Sequence, residues 1–364
     1  MKFTSLILTS FKNYTSSIFN FDHRIVGICG HNGKGKTNLI DALHYLSFTK
    51  SYFSKIENGN VHFNCDGFRL QGKIETHLRE HDITSVYKLP TVKEFYLDEV
   101  AYEKFSHHVG KFPCVMVAPD DIEIITGPGE LRRKFLDMLI SQADPDYLQN
   151  LITYNKVLAQ RNSFLKQENS KNYFNNNLLD VFDEQLVAPA GYIHSARKKF
   201  SLELFPLINH FYKTISGDKE IIRIEYSSML NQNNFAELLI ASRQKDKQLQ
   251  RTNVGIHRDD LIFYLDQSIF KNVASQGQRK TLLFASKLAE FEILKKIKGF
   301  APVLLLDDVF EKLDEKRMKN LLTYVCKEND GQVFITDTHK ERLIEALEEY
   351  KHDVQVVDLN ELII

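Results

Sequence analysis

Eight residues, Gly30-His31-Asn32-Gly33-Lys34-Gly35-Lys36-Thr37, fill every fixed position of G-x-x-x-x-G-K-[ST], a loop whose chemistry is the cradling of nucleotide phosphates. Glycines at 30, 33 and 35 let the backbone curl so that several N–H groups point inward at phosphate oxygens. The helix that follows adds its positive N-terminal end. Asn32, Lys34 and Asn38 belong to the same phosphate-facing stretch, Lys36 reaches the β- and γ-phosphates, and the Thr37 hydroxyl is placed to ligate Mg²⁺. The flanks suit the motif: residues 24–29 read as a buried strand, and residues 38–46 carry apolar side chains at helical spacing. A chance glycine-rich turn has no reason to sit between such a strand and such a helix. The loop implies binding of ATP or GTP and leaves open what the nucleotide is used for.

The second half of such a site lies far along the chain. Pro302-Val303-Leu304-Leu305-Leu306 is an apolar strand ending in Asp307-Asp308. Asp307, at the carboxyl end of that strand, is where an aspartate must sit to hold the Mg²⁺ of a P-loop nucleotide. Asp308 is placed to polarise the attacking water as general base, which makes Asp308 and Lys36 the candidate catalytic pair. An Asp-Asp pair after a strand also serves as a plain solvated turn or helix cap; the intact phosphate loop favours the catalytic reading. Ala274-Ser275-Gln276-Gly277-Gln278 precedes a helix expected from about Arg279, and it resembles the signature loop of ABC-type ATPases. That resemblance implies that the Ser275 hydroxyl, Gly277 and Gln278 address the γ-phosphate of an ATP held by another subunit. Glu311-Lys312-Leu313-Asp314 falls at the D-loop position, where Asp314 reads equally as a helix N-cap. His339 lies slightly beyond the position of an ABC switch histidine and reads as a surface residue.

The elements that must hold these residues follow from the pattern of the chain. A length of 364 residues suggests about two domains, each able to bury a core. No apolar run reaches membrane-spanning length and the N-terminus alternates like a strand, so neither a membrane protein nor a signal peptide is expected. Cysteines 29, 65, 114 and 326 lie far apart with no C-x-x-C pair, which argues against a zinc site or a disulfide framework and for the reducing cytoplasm. Residues 3–8 and 17–21 read as short strands, and period-2 stretches around 61–63, 68–74, 84–89 and 94–97 predict an antiparallel sheet. Residues 148–166 and 178–204 read as two long helices, the second kinked at Pro189, with another short helix over 206–216. Alternation of strand and helix then returns from 261 to 358. The expected fold class is α/β, an ABC-type P-loop ATPase head (a mixed sheet with flanking antiparallel strands) plus an inserted α-helical lobe. The boundaries are drawn at 1–145 and 221–364 for the two parts of the head, lobe I, and at 146–220 for the helical insert, lobe II.

Set in register, these pieces resemble the RecF family of bacterial DNA replication and repair ATPases, nearly from end to end. The resemblance runs through Phe11-Lys12-Asn13-Tyr14, the phosphate loop, Ala118-Pro119-Asp120-Asp121, Arg132-Arg133-Lys134-Phe135-Leu136-Asp137 and Gln160-Arg161-Asn162. It continues through Gly255-Ile256-His257-Arg258-Asp259-Asp260, Ser275–Gln278 and Leu306–Val309. It implies ATP-dependent homodimerisation with two ATPs sandwiched between P-loop and signature, binding to double-stranded and gapped DNA, partnership with RecR, and indirect support of RecA loading. It also implies weak ATP hydrolysis that dissolves the dimer and releases DNA. Departures are Ile256 where many relatives have Pro, Arg279-Lys280 in place of Gln-Arg, and no glutamine near 117–121 for a Q-loop. Asp308 is shorter than the glutamate of transporters, which suits a slow switch.

Formal net charge is −1, so DNA contacts require local basic patches. Residues 151–250 hold 13 Lys+Arg against 10 Asp+Glu, and Arg161, Lys166, Arg197, Lys198 and Lys199, with Lys156 and Lys171 beside them, are the candidate phosphate contacts. A solvated helical face is the plain alternative for any one of them. Competing readings are another SMC-like ABC ATPase head, which lacks its coiled-coil arm here, and a transporter ATPase subunit, against which the Arg-rich blocks and the absent switch histidine speak. A metabolic kinase or GTPase has no use for the signature loop.

Overall fold

The chain begins with an antiparallel hairpin, β1 (Lys2–Phe11) and β2 (Tyr14–Asn20), and then enters β3 (Ile25–Cys29), which is buried at all five residues. Helix α1 (Lys36–Phe48) follows, buried along nearly its whole length. Next come β4 (Gly67–Glu75), β5 (Glu80–Lys88), β6 (Val92–Leu97) and the short β7 (Val100–Ala101). Alternating burial along β4 and β5 is what a sheet with one face on the core demands. Residues 61–63, expected as a strand, contribute only a single bridge from Val61 to Phe11. A four-residue buried strand, β8 (Cys114–Val117), ends at Pro119.

The chain then runs through α2 (Ile122–Thr126), α3 (Gly129–Ala143), α4 (Pro145–Glu168) and α5 (Asn176–Ser216). Helix α5 is continuous for 41 residues and contains both Pro189, where the sequence predicts a kink, and Pro206, where it predicts the start of a separate short helix. Each proline forfeits one N–H, leaving the carbonyls of Gln185 and Leu202 without their helical donor. Apolar burial outweighs that loss: Leu186, Ala190, Ile193, Leu204 and Ile208 are fully buried on the same helix. Strand β9 (Ile222–Ser227), α6 (Phe235–Leu249), β10 (Asp260–Leu265), β11 (Ser268–Ile269) and α7 (Phe270–Val273) complete this stretch. The last part comprises α8 (Gln276–Lys298), β12 (Val303–Leu306), α9 (Glu315–Leu322), β13 (Val333–Asp337), α10 (Lys340–Leu347) and β14 (Val354–Asp358). These elements come from a computed structural model that describes residues 1–168, 176–217, 220–310 and 314–361.

Two compact units result. The first gathers Met1–Asp121, Phe211–Asp218 and Gln276–Ile364. It holds a parallel sheet in the order β14-β3-β13-β12-β8 and an antiparallel sheet in the order β2-β1-β4-β5-β6-β7. Near-continuous apolar strands such as Ile25–Cys29 and Val303–Leu306 are the composition a buried parallel sheet selects. A Cβ at Gly27 would sit 2.9 Å from Leu343 Cδ2, so α10 packs straight onto the backbone of β3.

The second unit gathers Ile122–His210 and Lys219–Ser275, wider than the insert drawn at 146–220 and carrying its own three-stranded sheet, β11-β10-β9. The physical reason is a set of buried ion pairs. Arg132 on α3 reaches Asp260 on β10 at 2.7 Å. Arg197 on α5 is 1% exposed and bonds Asp137 at 2.8 Å, Asp259 at 2.9 Å and the Ile256 carbonyl at 2.8 Å. Arg133 donates to the Asp259 carbonyl at 2.6 Å. These bonds commit residues 132–137 and 256–260 to the same unit as α5, outside any boundary drawn at 146 or 220.

Candidate nucleotide-binding site

Strand β3 delivers the chain into the phosphate loop and α1 carries it away from Lys36. Gly35, the N-cap of α1, has φ of 90°, and a Cβ there would meet Asn13 Nδ2 at 2.6 Å and the Tyr14 hydroxyl at 2.9 Å. Glycine is therefore required twice over, by conformation and by space. The turn between β1 and β2 braces the loop from outside: Tyr14 donates to the Gly35 carbonyl at 3.1 Å, and Asn38 Nδ2 donates to Asn13 Oδ1 at 2.6 Å. Asn32 and Gly33 are exposed, Lys34, Thr37 and Asn38 are half-buried, and Lys36 is buried. The Lys36 ammonium arches back over the loop and donates to the Gly30 carbonyl at 2.7 Å and the His31 carbonyl at 3.4 Å.

The two sequence-distant halves meet here. Thr37 Oγ1 donates to Asp307 Oδ2 at 2.9 Å, joining α1 to the end of β12. Thr336 Oγ1 donates to Asp307 Oδ1 at 2.8 Å and accepts the Asp308 N–H at 2.8 Å. That second bond pins Asp308, whose φ of 54° is left-handed, beside its neighbour. Burial pushes the Asp307 carboxyl above its ordinary pKa, against the opposing pull of the Thr336 and Thr37 hydroxyls. A buried carboxylate short of positive charge, next to a hydroxyl, is a hard-oxygen pair of the kind Mg²⁺ selects when phosphate oxygens and water complete its shell. Among the described residues there is no group of three or more His, Cys, Asp or Glu that could hold a metal ion. Thr336 or Thr338 is the strand-end residue expected at the switch position; the parallel register Leu306↔Ile335 sets Thr336 next to Asp307.

The signature residues stand at the start of α8, which begins at Gln276 and not near Arg279. Gly277 and Gln278 thus occupy the first helical turn, and Ser275 is exposed immediately before it. Space for a side chain at 277 is filled by Arg317, whose Nη1 would lie 2.5 Å from a Cβ there. Asp314 caps α9, accepting the Arg317 N–H at 3.0 Å, while Glu311, Lys312 and Leu313 lie outside the described residues. His339 is exposed.

Two of the five candidate DNA contacts are corrected. Arg161 is fully buried, 2.8 Å from both Asp183 and Asp246, and Arg197 is the buried hub described above. Neither guanidinium is available to a phosphate, because each neutralises carboxylates of its own unit. Lys166, Lys198 and Lys199 are exposed, as is Lys156; Lys171 lies outside the described residues. No helix among the described residues is long and apolar enough to cross a membrane.

Comparison with known proteins bears on the family and the fold. A family model described as an AAA domain matches residues 5–356. The chain is 40% identical over 342 residues to the DNA replication and repair protein RecF of Flavobacterium johnsoniae, covering 94% of this chain and 95% of that protein. It is 38% identical over 358 residues to the RecF of Bacteroides thetaiotaomicron, covering 98% and 96%. Among solved structures, the recombination mediator protein RecF with ATP, of the RecFOR pathway, superposes with a TM-score of 0.85 at 31% identity, covering 93% and 92% of the two chains. An SMC head bound to the C-terminal winged-helix domain of ScpA shares the fold at a TM-score of 0.56 and 13% identity, covering 94% and 91%. The ABC-type ATPase fold is thereby shown.

Proposed function

The chain belongs to the RecF family of DNA replication and repair proteins, and from that premise we propose that it is an ATP-dependent DNA clamp of recombinational repair. Its phosphate loop binds ATP, with Lys36 over the β- and γ-phosphates and Thr37 and Asp307 holding Mg²⁺. Mg²⁺, when bound, neutralises charge that develops on the phosphate oxygens. Asp308 takes the proton of the attacking water, and the Thr336 hydroxyl keeps that carboxylate's backbone in place. The signature residues Ser275, Gly277 and Gln278 close on the γ-phosphate of a second copy, so ATP joins two protomers on double-stranded or gapped DNA. RecR is the partner and RecA loading the outcome. Hydrolysis is weak and serves to release the protein from DNA and its location is the cytoplasm.

The observation that carries this reading is the hydrogen bond from Thr37 to Asp307 across 270 residues of sequence, extended by Thr336 to Asp308. These bonds bring a phosphate-loop hydroxyl, a strand-end carboxylate and the backbone N–H of a second acidic residue into one network, which is the arrangement a Mg²⁺-nucleotide site needs. The test is sizing of Asp308→Asn protein with and without ATP, with DNA retention measured in parallel. ATP should convert the variant from monomer to dimer and prolong its retention on DNA. A monomer in saturating ATP, with unchanged retention, would overturn the clamp.

A further inference from the structure

The signature glycine has a neighbour that the motif does not account for. Arg317, in the first turn of α9, lies so close to Gly277 that a Cβ at 277 would sit 2.5 Å from its Nη1 and 3.5 Å from its Cζ. Its side chain is 19% exposed, yet its paired carboxylate is Asp314, 3.3 Å away with a side chain 58% exposed. Asp314 is already engaged as the cap of α9. Because Gly277 is in the first turn of α8 and Arg317 in the first turn of α9, two helix N-termini meet at this spot. Asp314 is the one carboxylate paired with this guanidinium among the described residues, so a phosphate at the two positive helix ends would be a second anion for it. Arginine presents a planar fork that matches phosphate oxygens two at a time, which a lone helix terminus does not.

We propose that Arg317 is a phosphate-binding residue acting in trans: its guanidinium, held against Gly277, contacts the γ-phosphate of the ATP carried by a second copy of this chain. This inference rests on the dimer reading above and deepens it. Arg317 then distinguishes ATP from ADP at the joint between protomers, and Gly277 is glycine because the guanidinium occupies its side-chain space.

Two measurements test it. In the first, Arg317→Met keeps most of the aliphatic packing and removes the charge, whereas Arg317→Lys keeps the charge. ATP-dependent dimerisation should fall at least tenfold in the methionine variant and be partly recovered in the lysine variant. ATP affinity of the monomer should stay within about twofold of the parent in both. Dimerisation at parental strength in the methionine variant would reduce Arg317 to packing and overturn the proposal. In the second, Lys36→Ala protein, which keeps an intact signature face, is mixed with Arg317→Met protein, which keeps an intact phosphate loop. Mixed dimers should form with ATP more readily than either protein dimerises alone. A parallel mixture of Lys36→Ala with Ser275→Arg separates the two levels of the argument. Rescue with Ser275→Arg but not with Arg317→Met overturns Arg317 in trans, and rescue in neither mixture overturns the sandwich itself.

Discussion

At the scale of single residues, the site is a short chain of hydroxyls and carboxylates whose order decides what each substitution does. Thr336 both donates to Asp307 and accepts from the Asp308 backbone, so Thr336→Val removes two bonds at nearly constant volume. We expect hydrolysis to fall about 10- to 100-fold, because the general base loses its fixed position, while ATP binding through Lys36 and the loop persists. Measured turnover and nucleotide titration separate the two; equal loss of both would place Thr336 in binding instead. Lys36→Met removes the ammonium that spans the loop carbonyls and is expected to abolish ATP binding and the ATP-dependent dimer together. An ATP-dependent dimer surviving in that variant would defeat the assignment of the loop. Gly35 makes the same point from the side of shape: alanine there collides with Asn13 and Tyr14, so Gly35→Ala should behave like Lys36→Met without its charge change.

At the scale of elements, the question is which charges hold helices together and which remain for a ligand. Arg197 on α5 satisfies Asp137 and the fully buried Asp259, so Arg197→Ala strands carboxylates away from water and should cost about 3–5 kcal/mol. Lys198→Ala and Lys199→Ala, one and two residues on, should leave unfolding unchanged and lower the salt dependence of DNA binding by about one counterion each. Chemical denaturation and salt titration check both halves. Before folding, a cluster Arg197-Lys198-Lys199 reads as one basic patch, because composition has no way to tell which member of a helical run turns inward. The period of α5 settles it, with Ile193, Arg197 and Ser201 on one buried row and Lys198 and Lys199 outside. Local motifs were legible for the opposite reason. The phosphate loop and the Asp307-Asp308 strand end need only a few neighbours in sequence, and their types alone dictate geometry. The continuity of α5 through Pro206 was not legible, since a proline announces a new helix there and only tertiary burial of Leu204 and Ile208 overrides it. The same holds for the unit bounds, which long-range pairs such as Arg132–Asp260 decide.

At the scale of the whole molecule, each unit carries a histidine withdrawn from water, His108 buried and His257 half-buried, whose titration links folding to pH. His108, beneath α1, bonds the Leu46 carbonyl at 2.7 Å and the Tyr102 hydroxyl at 3.1 Å, and burial pushes its pKa down from 6.5 to about 4. His257 in the second unit is likewise pushed down by burial to about 4. In each case the unfolded chain takes up the proton first. Stability is therefore complete above pH 6.5 and is lost as pH falls toward 4, by about 3 kcal/mol per histidine. His108→Gln should flatten that dependence for the first unit, as read by urea midpoints from pH 4 to 7; an unchanged slope would mean that other groups govern acid unfolding. The topology of the parallel sheet has a consequence of another kind. Strand β3, which launches the phosphate loop, is hydrogen-bonded on one side to β13 and on the other to β14. On a ribosome those partners emerge some 300 residues after β3 itself, about 15–60 s later at ordinary rates of synthesis. Throughout that interval Ile25–Cys29 lacks both of its hydrogen-bonded neighbours, and for most of it the phosphate loop lacks Asp307. The protein is thus committed to late, post-elongation assembly of its ATP site, and it should depend on chaperones that shield strands during translation more than on ATP supply.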